Sequence, residues 1–176
     1  MTKEATMKRI ATILAGFSVF LSILSGCGAG GGGGGTTNLQ QKTATVVFST
    51  VSSAHTAPLQ GIQIDVMLPS GTSITDIASA VTGLNSSGRV IPGSYNPVTN
   101  IATFSVAQAN FAPPSNFIKF GDFASLKCNI TPGVTLDQSS FSLATSDIQM
   151  TGTDPGGTSI NLVNQIPVKL SVTFGF

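Results

Sequence analysis

Apolar and polar side chains alternate in short segments along most of the chain after residue 43. The clearest case is residues 62–68, where every second position is apolar: Ile62, Ile64, Val66 and Leu68. Side chains of a β-strand point to opposite faces in turn, so this pattern predicts a strand with one buried face. Residues 168–176 end the chain with the same alternation and predict a last strand whose apolar side faces the core.

Several other segments are rich in the β-branched and aromatic residues that favour strands. These segments are residues 44–51, 89–95, 101–107 and 126–130, of which 89–95 is interrupted by Pro92. Residues 96–100 contain an Asn-Pro pair, which predicts a turn. The apolar run over residues 117–127 is expected to be broken at Gly121-Asp122.

The remaining segments are less regular. Over residues 73–81 apolar side chains recur at helical spacing behind Ser73, a candidate N-cap, so a short helical turn and an irregular strand are both open interpretations. A further strand region is predicted from four apolar residues: Phe141, Leu143, Ile148 and Met150. A loop over residues 151–157 and a hairpin return over residues 159–163 are expected to follow it.

The composition favours an all-β protein. Only 9% of the residues are charged, and the single glutamate, Glu4, stands near the N-terminus, so good helix formers are scarce. Eight or nine short strands separated by turn signals predict a two-sheet antiparallel β-sandwich over residues 43–176. That length suits one domain with a single core.

Residues 1–26 have the organisation of an export signal. Lys8 and Arg9 precede an apolar segment at residues 10–24, which is shorter than the roughly 20 residues that a membrane-spanning helix needs. The segment that follows resembles the bacterial lipobox: Leu24, Ser25, Gly26 and Cys27. The resemblance implies that a lipoprotein signal peptidase recognises the first three residues and that Cys27 carries lipid. An ordinary secretory signal that ends near a cysteine is the alternative.

Residues 27–42 follow as a Gly-rich segment without apolar periodicity. Such a composition is typical of a flexible tether, with a root-mean-square length of roughly 20 Å. The residue after the cysteine is Gly28, not the aspartate that commonly retains lipoproteins in the inner membrane. The predicted location is therefore the cell envelope, by a lipid anchor, and the outer membrane or cell surface if the cell is Gram-negative.

Few residues are candidates for chemistry. His55, the only histidine, lies among serines but without a Gly-x-Ser-x-Gly motif, so we interpret it as a solvated loop residue. Cys128 shares the apolar side of its strand with Leu126 and Ile130, which favours a core residue over a reactive thiol. Asp147 and Asp154 flank a predicted loop and are weak calcium candidates, because they lack dense Asp-x-Asp spacing. No other cofactor and no catalytic residue is predicted.

The order of the elements resembles the cohesin domain and related carbohydrate-binding modules, which are jelly-roll-like sandwiches. The matching segments are residues 61–69, 100–106 and 121–130, then Phe141-Ser142-Leu143, Asp147-Ile148, Asp154 and Gly156-Gly157. The resemblance implies a non-enzymatic module that binds a protein or a polysaccharide, in cohesins mainly through a sheet face. The chain has no Trp and a single Tyr, Tyr95, whereas flat polysaccharide-binding platforms use rows of exposed Trp and Tyr.

The sequence thus predicts a surface lipoprotein that displays a non-catalytic binding module for a protein or glycan. The alternative is a structural or assembly subunit of a cell-surface or envelope complex. From Cys27 onward the chain has five basic and six acidic residues, a formal net charge of −1, and no basic patch that would bind nucleic acid. A binding module should expose a sheet face of mixed apolar and polar residues, an assembly subunit should self-associate, and an enzyme should gather polar groups in a pocket.

Overall fold

The computed structural model describes residues 40–51, 57–110, 117–143 and 145–176. The strands in these ranges are β1 Thr43–Thr50, β2 Leu59–Met67, β3 Thr72–Ser73, β4 Val81–Gly83, β5 Gly88–Asn96, β6 Ile101–Gln108, β7 Gly121–Ile130, β8 Ile148–Thr153, β9 Ser159–Asn161 and β10 Val168–Gly175. One short α-helix, α1 Ile77–Ala80, and two 3-10 turns, Gln138–Ser140 and Thr145–Asp147, complete the described elements.

The strands form two antiparallel sheets, so the predicted all-β, two-sheet sandwich is confirmed. The first sheet has the order β10-β1-β7-β3, with β4 also paired to β7, and the second has the order β5-β6-β2-β8-β9. The described ranges contain ten strands rather than eight or nine because β3, β4 and β9 are segments of only two or three residues. A compact unit spans Asn38–Phe176 and includes every described element.

The core lies between the two sheets and follows from strict alternation in the central strands. In β1, in β6 and in β2 from Gly61 onward, the even-numbered side chains are buried and the odd-numbered ones are half-buried or exposed. At the start of β2 the order is reversed, because the register shifts between Leu59 and Gly61 and Leu59 is buried. Phe48 of β1 contacts Phe104 of β6 edge to face, with ring centroids 5.2 Å apart, and Phe123 of β7 completes this aromatic cluster. Edge-to-face aromatic pairs contribute about 1 kcal/mol beyond the area they bury. Phe48 and Phe104 therefore hold the central strands of the two sheets together.

The segment at residues 117–130 differs from its prediction. Gly121-Asp122 does not interrupt a strand, because β7 begins at Gly121 and continues without a break to Ile130. Gly121 has a φ of 106°, a conformation that glycine adopts without a steric cost, and it therefore turns the chain into the strand. The register of β1 against β7 shifts between Phe48 and Ser49, near the start of β7.

Both interpretations of residues 73–81 are partly right. Ser73 ends β3 and does not cap a helix. The N-cap of α1 is Asp76, whose carboxylate accepts hydrogen bonds from the amides of Ala78 (3.1 Å) and Ser79 (3.2 Å). The chain then returns to an extended conformation at Val81, where β4 begins.

The prediction of a strand region from Phe141 to Met150 is wrong in its first half. Residues 138–140 form a 3-10 turn closed by a capping box between Asp137 and Ser140, and β8 begins only at Ile148. The expected loop over residues 151–157 is also wrong at its start, because Thr151, Gly152 and Thr153 belong to β8. These residues pair with β2 on one side and β9 on the other, so both neighbours supply the hydrogen bonds of a strand.

The predicted turn at residues 96–100 is confirmed, and Asn100 connects it to the rest of the domain. Asn100 has a φ of 57°. Its side-chain Nδ2 donates to the carbonyl oxygens of Leu68 and Pro69, each at 3.0 Å, and its Oδ1 accepts from the hydroxyl of Tyr95. The amide of Leu68 in turn donates to the carbonyl of Asn100 at 2.9 Å. Asn100 thus fastens the β5–β6 turn to the end of β2.

Candidate functional site

Several predicted residues lie outside the described part of the chain. These are the lipobox residues Leu24, Ser25, Gly26 and Cys27, and also His55. The same is true of the whole predicted signal peptide, residues 1–26, and of most of the predicted tether, residues 27–42. Their roles stay predictions.

The two aspartates proposed for calcium lie at opposite ends of β8. Asp147 immediately precedes the strand and Asp154 immediately follows it. At about 3.3 Å per residue, a strand of this length separates them by roughly 20 Å, too far for one ion to bridge. Asp154 also has a local role, because its Oδ1 accepts from the Thr158 amide at 2.8 Å and closes the following turn. Within the described ranges there is no group of three or more His, Cys, Asp or Glu residues that could hold a metal ion.

Cys128 is a core residue, as its alternation predicts. Its side chain is 1% exposed, and its Sγ lies 3.7 Å from the carbonyl oxygen of Ala44 on β1. Burial raises the pKa of Cys128 to about 11, because the thiolate would lose its hydration inside the core. The thiol is therefore neither ionised nor accessible at physiological pH.

One hollow on the described surface runs along β8 and β9. Its volume is about 380 Å³, and it is open on one side. The lining consists of uncharged residues: Ile148, Gln149, Met150, Thr151, Ser159, Ile160, Asn161 and Val163. The lining contains the hydroxyls of Thr151 and Ser159 but no titratable side chain that could act as their general base, so it lacks the groups of acid–base catalysis.

The outer face of the second sheet has a mixed apolar and polar surface. One row of side chains crosses four strands in register: Ile91, Ser105, Gln63 and Gln149. A second row contains Ser94, Thr103 and Asp65, and a third contains Asn96, Ile101 and Met67. Met67 is 59% exposed and Ile91 is 48% exposed, which are large fractions for apolar side chains on a sheet.

The outer face of the first sheet has a different chemistry. Its central row consists of Thr173, Thr45 and Lys127, and the next row contains Ser171, Val47, Ser125 and Thr82. Val47 is the one apolar residue in these two rows, and it is only half-exposed. Of the two outer faces, the one on the second sheet is therefore the better candidate for binding a partner. We refer to it as the β2 face, defined by Gln63, Asp65, Met67, Ile91, Ile101, Thr103, Ser105 and Gln149.

The β2 face does not have the features of an aromatic sugar platform. Tyr95, the single tyrosine, is half-buried against the core and uses its hydroxyl in the Asn100 turn. The aromatic side chains Phe48, Phe104 and Phe123 lie between the sheets. Stacking of pyranose rings on exposed Tyr or Trp therefore has no equivalent among the residues of the β2 face.

Sequence reasoning did not find this face, although a signal is present. Met67, Ile91 and Ile101 are apolar residues that stand out of phase with the buried positions of their own strands. Within a single strand, one exposed apolar residue does not indicate a binding surface. Only the pairing of β5, β6 and β2 brings the three exceptions onto one surface.

Comparisons with known proteins were made with family models, curated proteins and solved structures, and none of them matches this chain. Among the described residues, no helix has the length and apolar character needed to cross a membrane.

Proposed function

We propose that this protein is a lipid-anchored envelope lipoprotein that displays a non-catalytic, cohesin-like binding module. The observation that supports this function best is the β2 face. It combines exposed Met67 and Ile91 and half-buried Ile101 with mostly uncharged polar groups on an antiparallel sheet. This mixture is the one expected of a binding module, and the hollow on β8 and β9 does not have the groups expected of an enzyme.

At the β2 face, apolar side chains would contribute most of the binding free energy, and polar side chains would orient the partner. Met67 and Ile91 would leave water on contact with a partner, which is favourable by about 25 cal/mol per Å² of apolar surface buried. Gln63, Ser105 and Gln149 offer amide and hydroxyl groups in one row, and these give a partner its orientation through hydrogen bonds. The sheet holds all of these side chains in a fixed register, so little ordering is needed on binding.

A protein is the favoured partner, and a glycan is the second candidate. The β2 face contains apolar side chains without aromatic rings, which suits protein surfaces better than sugar rings. It contains one carboxylate, Asp65, and borders one guanidinium, Arg89, so its charge is nearly balanced. A partner selected by strong net charge is not expected at such a face.

The anchor is proposed from Leu24, Ser25, Gly26 and Cys27 and from the Gly-rich residues that follow. Several acyl chains on Cys27 would hold the protein in the membrane, because each buried CH2 contributes about 0.8 kcal/mol. Metabolic labelling with a tagged fatty acid checks this anchor. The wild-type chain should incorporate the label, and the Cys27→Ala variant should not. Equal labelling of both would refute the anchor without affecting the proposal for the β2 face.

Affinity capture tests the binding function. The full chain is used as bait on the surface and secreted fractions of the source organism, with calcium and with a chelator. We expect saturable recovery of one protein. With the variant Met67→Asp/Ile91→Asp as bait, the amount of partner recovered should be at least tenfold lower than with the wild type, because two buried carboxylates would replace apolar contacts.

A matched control alters the other face. The variant Thr45→Asp/Thr82→Asp places the same number of carboxylates on the outer face of the first sheet and should retain recovery. Equal losses in both variants would exclude the β2 face as the binding surface. Recovery of a glycan would replace the protein partner with the second candidate, and recovery of the bait alone would favour the assembly role.

A further inference from the structure

The edges of the two sheets differ in how well they are protected from pairing with another strand. In the second sheet, β5 contains Pro92 and a register shift between Pro92 and Ser94, and β9 is only three residues long. The free side of β7 in the first sheet is covered by β3 and β4. Prolines, bulges and short strands are the usual devices that prevent edge-to-edge association. Three of the four edges thus have such a device.

The fourth edge, β10, has none of these devices. It is eight residues long, contains no proline and pairs with β1 in an unbroken register from Val168 to Gly175. Its one charged residue is Lys169. A long, regular and weakly charged edge strand is a template for a further strand.

The register identifies which backbone groups of β10 are free. The carbonyl of Pro167 accepts from the Val51 amide at 3.1 Å, and the carbonyl of Gly175 accepts from the Lys42 amide at 2.7 Å. Because hydrogen-bonded positions alternate along an antiparallel pair, the odd-numbered residues of β10 face β1. The amides and carbonyls of the even-numbered residues Val168, Leu170, Val172 and Phe174 therefore point to the open edge.

The same four residues are incompletely buried. Their side chains point to the interior, yet each is only half-buried, whereas their neighbours Val46 and Phe48 on β1 are fully buried. Phe174 contacts Phe141 with ring centroids 6.3 Å apart, which covers one end of the strand. A strand added beside β10 would extend the apolar layer and cover more of these side chains.

We propose that the β10 edge binds the β10 edge of a second copy of this chain, antiparallel and about a two-fold axis at Ser171. In this register Val168 lies opposite Phe174 of the second copy, and Leu170 lies opposite Val172. It is the one two-fold register in which all four even-numbered residues find an apolar partner within β10. The result joins the first sheets of two molecules into one continuous sheet.

Charge is also compatible with a second copy. Lys169 would lie opposite Thr173 of the second copy, so the two lysines do not face each other. Like charges directly opposite would destabilise the pair. Isologous two-fold interfaces are the commonest form of homodimer, and they need this kind of self-complementary surface. The inference does not rest on the proposed binding function, because the β2 face belongs to the second sheet and stays exposed in the dimer.

Cysteine cross-linking in intact cells tests the axis at Ser171. Ser171 would form a non-hydrogen-bonded pair with itself, with Cα atoms about 4.5 Å apart, which is within the range that a disulfide spans. The full-length Ser171→Cys variant should therefore form a covalent dimer when diamide is added as oxidant. The wild-type chain, which retains Cys27 and Cys128, gives the background.

The matched control is Thr173→Cys, on the same exposed face of the same strand. In the proposed register the two Thr173 residues would be about 13 Å apart, at 3.3 Å per residue. We expect at least tenfold less cross-linked dimer than for Ser171→Cys. Equal cross-linking at both positions would show random collision and would overturn the proposed pairing.

A third variant interrupts the edge without removing a bond to β1. Val172→Pro removes an outward-facing amide, so its fold should persist while cross-linking of Ser171→Cys/Val172→Pro falls at least fivefold. Sedimentation of the purified lipidated chain in detergent gives an independent measure of mass. Two results together would overturn the proposal: the purified chain sediments as a monomer at about 100 μM, and Ser171→Cys forms no more cross-linked dimer than the wild type. This test holds even if Val172→Pro fails to fold.

Discussion

Replacement of Asn100 tests how one side chain holds the β5–β6 turn to the end of β2. Asn100→Ala removes the donated hydrogen bonds to Leu68 and Pro69, a longer one of 3.4 Å to the hydroxyl of Thr72, and one acceptor for the hydroxyl of Tyr95. A typical intramolecular hydrogen bond contributes a net of about 1 kcal/mol. Alanine at a positive φ costs about 1 kcal/mol more. Because Asn100 is half-buried and water replaces part of what is lost, we expect the free energy of unfolding to fall by about 3 kcal/mol.

Two further variants separate these contributions. Asn100→Gly loses the same hydrogen bonds but adopts the φ of 57° without a steric cost, so it should lose about 2 kcal/mol. Tyr95→Phe removes only the hydroxyl that donates to Asn100 and should lose about 1 kcal/mol. The order of stability is therefore wild type, Tyr95→Phe, Asn100→Gly and Asn100→Ala.

Urea unfolding of the chain that begins at Asn38, followed by circular dichroism, gives the four free energies. A loss of about 3 kcal/mol is a large fraction of the 5–15 kcal/mol typical of a domain and is easily measured. Equal values for the glycine and alanine variants would refute the backbone part of the reasoning. A loss below about 1 kcal/mol for Asn100→Ala would refute the side-chain part.

Three other measurements test the packing and the titrating groups. In Gly152→Ala the new Cβ would lie 2.4 Å from Cδ1 of Leu162 and 2.6 Å from the carbonyl oxygen of Pro58, so urea unfolding should show a loss of about 1–3 kcal/mol. Gly156→Ala, whose Cβ would come no closer than 3.3 Å to a neighbour, is the control and should lose less. Iodoacetamide should alkylate Cys128 at least a hundredfold more slowly than an unfolded thiol at pH 8, because its pKa is about 11 rather than 9.0, and comparable rates would contradict its burial. A hydrogen bond from Ser79 lowers the pKa of Asp76 below its ordinary value, and hydrogen bonds from Ser139 and then Ser140 do the same for the pKa of Asp137. Their stabilisation is therefore complete above the unfolded pKa and lost as the pH falls through the lower folded values. Asp76→Asn keeps a capping oxygen but does not titrate, so its acid unfolding should be less steep than that of the wild type, and identical curves would contradict the assignment.

Much of the β-structure was predictable because alternation is a local property of the chain. The buried faces of β1, β2 and β6 follow from a period of two residues, and so does the burial of Cys128 on β7. The turn before Ile101 was predictable for a similar reason, since its Asn-Pro pair restricts the backbone directly. In these places local preference and the final structure agree.

The errors fall where a neighbouring strand decides the conformation. Residues 151–153 have the composition of a loop, yet they become strand because β2 and β9 pair with them on both sides. Phe141 is apolar and buried, but a capped 3-10 turn brings it to the core instead of a strand. Asp147 and Asp154 were expected beside one loop, and the strand between them puts them at opposite ends.

The sequence by itself determined which side chains are buried in the regular strands β1, β2 and β6, and that the strands form a sandwich. Only the tertiary structure decided which strands are neighbours, because hydrogen bonds between strands join residues far apart in the chain. Val46, for example, lies between Leu126 and Val172. That choice left β10 at an unprotected edge and brought Met67, Ile91 and Ile101 onto one face. Both proposed interaction surfaces therefore depend on strand order, which a period of two residues does not encode.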